Sequence, residues 1–229
     1  MRKILVLGCV ALAMLACNMV LATPTQVIEM PTGTVVPEEE YNWGLDLRTT
    51  FGGAGGVGVR PGLTYGATED FEIGVDWATN YPANGVLLNA KWRVTDEDKD
   101  DALAVGVMGV GLNFNQTPNV LYAVATLQDD DDDEDEDDNS FNFHVGAYYG
   151  TNANYFGASQ FGFMAGADFG DDEWRGIVEY MSGNNPLGVF SAGVGYMDDD
   201  NEWRAVLAYQ YWLQQRQSGV TLQIDYFTD

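Results

Sequence analysis

Basic residues, histidine and cysteine are scarce in this 229-residue chain: ten Lys plus Arg, one His and two Cys stand against 35 Asp plus Glu. Without clustered Lys and Arg there is no basis for a nucleic-acid partner, since affinity for phosphate backbones comes mainly from them. After residue 22 no apolar run approaches the roughly 18 residues a membrane helix needs, which excludes a membrane helix bundle. The 3.6-residue period of amphipathic helices is almost missing from residues 41–229. What the chain has in quantity is apolar and small: 46% hydrophobic residues, 13% aromatic and 27 Gly. That payload is too large for intrinsic disorder, and the chain should fold.

Arg2 and Lys3 precede an apolar stretch from Ile4 to Ala22, broken by Asn18 and followed by Thr23-Pro24. This is the pattern of a secretory signal peptide, with cleavage expected after Ala22. Cys9 and Cys17 would leave with it, so the mature chain is expected to have no disulfide, and one His without Cys gives no ligand set for a tight zinc site. Eight basic against 35 acidic side chains then give a charge of −27. A lipoprotein with Cys17 as the lipidated residue is the alternative, which Leu15 fits poorly. The expected organisation is a signal peptide over 1–22, a periplasmic N-terminal segment over 23–40 and a β domain over 41–229.

The β domain shows two-residue alternation throughout. Tyr41, Trp43, Leu45 and Leu47 alternate with Asn42, Gly44, Asp46 and Arg48, and Phe71, Ile73, Val75 and Trp77 with Glu72, Gly74, Asp76 and Ala78. About twelve strands follow from such segments. In 102–114 and 120–127 both faces are apolar or small, and the inward side stays open. Alternate connections sort by chemistry: 68–70, 95–101, 129–138, 171–173 and 198–202 are acidic, whereas the others are rich in Gly, Asn and Pro with almost no charge. In an antiparallel meander this gives one acidic and one nearly uncharged end. An even strand count places both termini at the acidic end.

The face opposite the aromatics is rich in Gly with sparse charges, too bare for the surface of a soluble barrel. In a transmembrane barrel the assignment inverts: apolar side chains face lipid, aromatics form girdles and the lumen is polar. Closed barrels are the only β structures that span lipid without stranded backbone groups. The expected fold is therefore an all-β, transmembrane up-and-down antiparallel β-barrel in the outer membrane of a Gram-negative-type bacterium, with Trp43, Trp77, Trp92, Trp174 and Trp203 at the membrane interfaces. A secreted soluble β-protein is the alternative. Parity turns Asp46, Glu72, Asp76, Asp168, Glu179 and Asp225 inward with Arg48, Arg60, Lys91, Arg93, Arg175 and Arg204, six charges opposing six, and His144 with them. A lumen so lined can pair its charges. It is read equally as a barrel plugged by its own salt bridges and as a narrow solute pore.

The stretch Ile28-Glu29-Met30-Pro31-Thr32-Gly33-Thr34-Val35-Val36-Pro37-Glu38 and the turn and strand Tyr65-Gly66-Ala67-Thr68-Glu69-Asp70-Phe71-Glu72-Ile73-Gly74-Val75 resemble bacterial outer-membrane β-barrel proteins related to the exopolysaccharide-associated YjbH-like group. Gly33 stands where members typically carry Ala. The resemblance implies location and fold and brings no catalytic residues.

Three features invite chemical readings. Gly53-Ala54-Gly55-Gly56-Val57-Gly58 matches G-x-G-x-x-G, but the chain continues as strand where that motif needs a helix to receive a pyrophosphate. The acidic run Asp129 to Asp138 repels itself and is read as a solvated turn, with weak divalent-cation binding as the alternative. His144 is the only histidine, and no Ser motif accompanies it, so it reads as a lumen residue. The functional expectation is non-enzymatic: a narrow, weakly selective solute channel, or a structural barrel for envelope assembly, with lipid, small solutes or polysaccharide machinery as partners and no cofactor or metal. The enzyme alternative is an outer-membrane hydrolase using His144.

Overall fold

The computed structural model describes residues 26–51, 57–79, 85–95, 101–111, 117–129, 140–198 and 202–228. Residues 1–25, on which the expected signal peptide falls, the glycine-rich stretch 52–56 and all but Asp129 of the acidic run Asp129 to Asp138 lie outside them. Twelve strands are formed among the described residues: β1 (Tyr41–Thr50), β2 (Gly58–Thr68), β3 (Phe71–Ala78), β4 (Gly85–Arg93), β5 (Ala102–Gly111), β6 (Val120–Asp129), β7 (Ser140–Gly150), β8 (Phe161–Gly170), β9 (Trp174–Met181), β10 (Val189–Met197), β11 (Trp203–Trp212) and β12 (Gln217–Thr228). Each pairs antiparallel with the next in sequence, and β1 pairs with β12 to close a barrel. One short helix, α1 (Ala153–Phe156), sits between β7 and β8, its first turn capped by Asn152.

Closure satisfies the ladder groups without leaving an edge. The alternation then sorts side chains into two environments. Outside lie large apolar groups, among them Phe163 at 62% and Leu207 at 55% exposure. Inside lie Lys91 and Glu179 at 0% and Glu72 at 1%. This is the inverse of a water-soluble barrel. In β5 and β6 the inward side comprises Ala102, Ala104, Tyr122, Val124 and Thr126, all buried. A bulge bends this side of the barrel: β5 places two residues, Met108 and Gly109, opposite the single Asn89 of β4. Gly109 takes φ 64°, a left-handed conformation glycine adopts without penalty, and donates its N–H to Asn89 Oδ1 at 2.9 Å.

The stretch 26–40 departs from the sequence expectation. Instead of a periplasmic segment outside the barrel, its residues 26–36 run inside it. Ile28 packs with Val27, Ile177, Val206 and Ala208, and Met30 joins a larger interior cluster with Tyr122, Tyr148 and Met164. The physical reason is that Val27, Ile28, Met30 and Val36 are apolar and gain by leaving water, while a twelve-stranded barrel is too wide for its own side chains to fill. Gly66 of β2 marks the close approach: a Cβ there would lie 1.8 Å from the carbonyl oxygen of Pro37.

Candidate functional site

The six predicted acidic residues, Arg48, Arg60, Lys91, Arg175, Arg204 and His144 lie on the inner side of the wall, whereas Arg93 turns to Asp70 and the carbonyl of Glu69 at the acidic rim. Register decides who meets whom. Asp46 lies directly opposite Arg60, Glu72 opposite Lys91, and Arg204 opposite Asp225. The contacts follow: Arg60 Nε donates to Asp46 Oδ2 at 2.8 Å, Lys91 Nζ stands 3.2 Å from Glu72 Oε1, and Arg204 Nη2 stands 2.8 Å from Asp225 Oδ2. Arg175 reaches Asp168 on the diagonal at 2.5 Å, and Asp76 accepts from Asn89 at 2.8 Å. Arg93 sits at the acidic rim, 3.1 Å from Asp70. Buried charge is tolerable only when so paired and hydrogen-bonded.

Two wall carboxylates do something else. Glu179 accepts three consecutive backbone N–H groups, from Ile28 at 3.1 Å and from Glu29 and Met30 at 3.0 Å, with Ser191 Oγ at 2.9 Å as a fourth donor. Three successive amides converging on one anion form a nest, here filled by the barrel's own side chain. Glu72 accepts the N–H of Val36 at 2.8 Å. Carbonyls of the same segment are held in return: Ile28 O by Gln223 Nε2 at 2.6 Å, Thr32 O by Lys91 Nζ at 3.3 Å and Gln26 O by Arg204 Nη2 at 3.4 Å. Glu29 binds Arg48, lies 3.8 Å from Arg60 and accepts from Gln210 at 3.2 Å. Glu29 and Gln210 were absent from the sequence reading, because the segment was placed outside and a lone Gln carries no motif.

His144 proves better connected than its surroundings in sequence suggest. Its Nε2 lies 2.7 Å from Asp168 Oδ2 and its Nδ1 2.9 Å from Thr126 Oγ1. Gly33 donates its N–H to Thr126 Oγ1 at 2.8 Å, and the Asp168 carboxylate, which only accepts, takes the hydrogen on His144 Nε2. The order hydroxyl, imidazole, carboxylate is that of an activated nucleophile. Here it is sealed: Thr126 is 1% and His144 2% exposed, and the hydroxyl is already engaged by the segment.

Toward the uncharged end the interior turns apolar. Val120, Tyr148, Phe156, Met181, Val189 and Trp212 cluster beneath α1, and Arg48 stands over the Trp212 ring at 5.0 Å. Tyr155, in α1, packs against this cluster, and burial pushes its phenol above its ordinary pKa. A cavity of about 80 Å³ remains at this end, floored by Glu29, Arg48, Arg60 and Asp76. A wider one of about 370 Å³ opens at the acidic end beside Asp168, Arg175 and Arg204. Outside, Trp174, Tyr196 and Trp203 follow one another with tilted rings, centroids 4.9 and 5.4 Å apart. Trp43 and Trp92 face outward near the same end, and Trp77 faces outward near the other. Among the described residues no three His, Cys, Asp or Glu side chains converge as a metal site.

No protein-family model and no curated protein matches the chain. Among solved structures it is similar to a KdgM porin in complex with disordered oligogalacturonate, 12% identical with a TM-score of 0.50, covering 82% of this chain and 98% of that one. Engineered variants of the Rhodopseudomonas blastica porin match at 7% and 8% identity with TM-scores of 0.39 and 0.40. They cover 75% of this chain and 55% of theirs, so the chain spans about half their length. The first likeness shows the fold, a porin-type antiparallel barrel.

Proposed function

We propose that the protein is an exported, non-enzymatic outer-membrane barrel that passes small polar solutes with weak charge selectivity. One observation carries this reading: an apolar exterior surrounds an interior whose wall carboxylates lie among Arg and Lys side chains, with Asp46–Arg60, Glu72–Lys91, Asp168–Arg175 and Asp225–Arg204 in direct contact. Such an exterior suits hydrocarbon, with Trp43, Trp77, Trp92, Trp174 and Trp203 suited to the interfaces. Such a wall offers hydration to ions of either sign. The oligogalacturonate held by the similar porin makes short oligosaccharides the first solutes to test. The filled lumen favours a second reading, a closed structural barrel serving the envelope or exopolysaccharide assembly that the sequence resemblance implies. Planar-bilayer recording of the mature protein separates the two. Unit conductance with a reversal potential near zero in a salt gradient supports the channel, and a folded, inserted but silent barrel supports the structural role.

A further inference from the structure

We propose that residues 26–37 are a displaceable peptide ligand of the lumen, a plug whose release opens the pore; the opening rests on the channel reading above.

The wall is complete without the segment. Every ladder joins consecutive strands or β1 with β12, so its departure breaks no strand pairing. The segment is held as a foreign peptide would be, through its backbone: N–H groups on Glu179, Glu72 and Thr126, carbonyls on Lys91 and Gln223. Main-chain hydrogen bonds of this kind give affinity, and the Glu29 side chain, on Arg48 and Gln210, adds specificity. Much of the wall's charge is met within the wall, since Glu72 with Lys91, Asp46 with Arg60 and Asp225 with Arg204 pair among themselves, while Arg48 and Glu179 are the wall charges that grip the segment. The hinge is at hand. Pro37, Glu38 and Glu39 are exposed at the acidic end, and Glu39 turns the chain back toward β1 with φ 67°, a left-handed conformation rare for a non-glycine residue. Four buried apolar side chains, Val27, Ile28, Met30 and Val36, make the closed state the dominant one.

The chain's two cysteines, at 9 and 17, precede the described residues, so one new thiol can report on the plug. Ile28 is fully buried. In the mature chain carrying Ile28→Cys, reconstituted in vesicles, a membrane-impermeant maleimide should react only when the segment leaves. Labelling is expected to be slow and to accelerate about tenfold or more with Glu179→Gln, because hydrogen bonds to a charged acceptor are the stronger ones. Conducting bursts should become more frequent in the same variant. Thr126→Val, which removes the acceptor of Gly33, is the second variant should the first fail to fold. Unchanged labelling in both, or conduction without labelling, overturns the plug. Faster labelling in a barrel that stays silent upholds the displaceable segment and overturns the channel reading instead.

Discussion

The carboxylate of Glu179 and the backbone N–H of Met30 meet at 3.0 Å across 149 residues of sequence. Neither is an ordinary partner for the other: a wall carboxylate in a barrel would be expected to find an arginine, and a backbone amide a carbonyl. The pairing ties the contents of the lumen to its wall.

Breaking a buried pair from one side should cost more than removing both partners. Lys91→Met leaves the buried charge of Glu72 without the ammonium group beside it, and should destabilise the barrel by about 3–5 kcal/mol. Glu72→Gln combined with Lys91→Met should cost clearly less than the two single changes summed. Urea unfolding in lipid vesicles, run as a double-mutant cycle, measures this; additive values would mean the two side chains are not coupled.

Crowding at Gly66 predicts a backbone effect. Gly66→Ala sets a methyl group against Pro37 O, at a distance no real contact allows. The loss should be about 1–3 kcal/mol, the usual cost of overpacking. Gly195 of β10 is the comparison, since no atom lies nearer than 3.3 Å to a Cβ placed there, and an equal effect at that position would remove the argument from close approach.

The outer face offers a direct test of its solvent. Leu207→Arg, at a position 55% exposed in the middle of β11, should cost about 2–4 kcal/mol if that face lies at mid-bilayer. On a water-facing surface the same change should fall within about 0.5 kcal/mol.

Charge at the acidic mouth should set what selectivity there is. Arg175 and Arg204 line the wider cavity, and replacing both by Ala leaves their partners Asp168 and Asp225 uncompensated. The reversal potential in a salt gradient should move toward cation preference; a shift toward anions would contradict the lumen placement.

Much of this was legible in the sequence because strand parity is a local property. Asp46 and Arg48, or Glu72 and Asp76, share a face wherever the strand goes. Parity was blind in β5, where inward Ala104 and Gly106 and outward Leu103 and Val105 are all apolar or small; Gly106 is small because the Tyr122 ring lies against it. It was blind as well to what fills the lumen. The grip of Glu179 on residues 28–30 joins positions that meet only once the segment lies in the lumen, and the run from Gly33 through Thr126 and His144 to Asp168 depends on the pairing of β6 with β7 and β7 with β8 as well. No spacing rule connects Thr126 with His144 across an acidic loop, and nothing in residues 27–36 distinguishes a tail in water from one in a barrel.

The reach of those contacts bears on how the molecule folds. Gln223 on β12 holds Ile28 across 195 residues, and Glu179 must be in place before the amides of residues 28–30 have an acceptor. Contacts so distant in sequence form late, after loop-closure entropy has been overcome. A segment early in the chain is thus among the last to reach its place, and until the wall has formed its apolar side chains Val27, Ile28, Met30 and Val36 lack the interior that buries them.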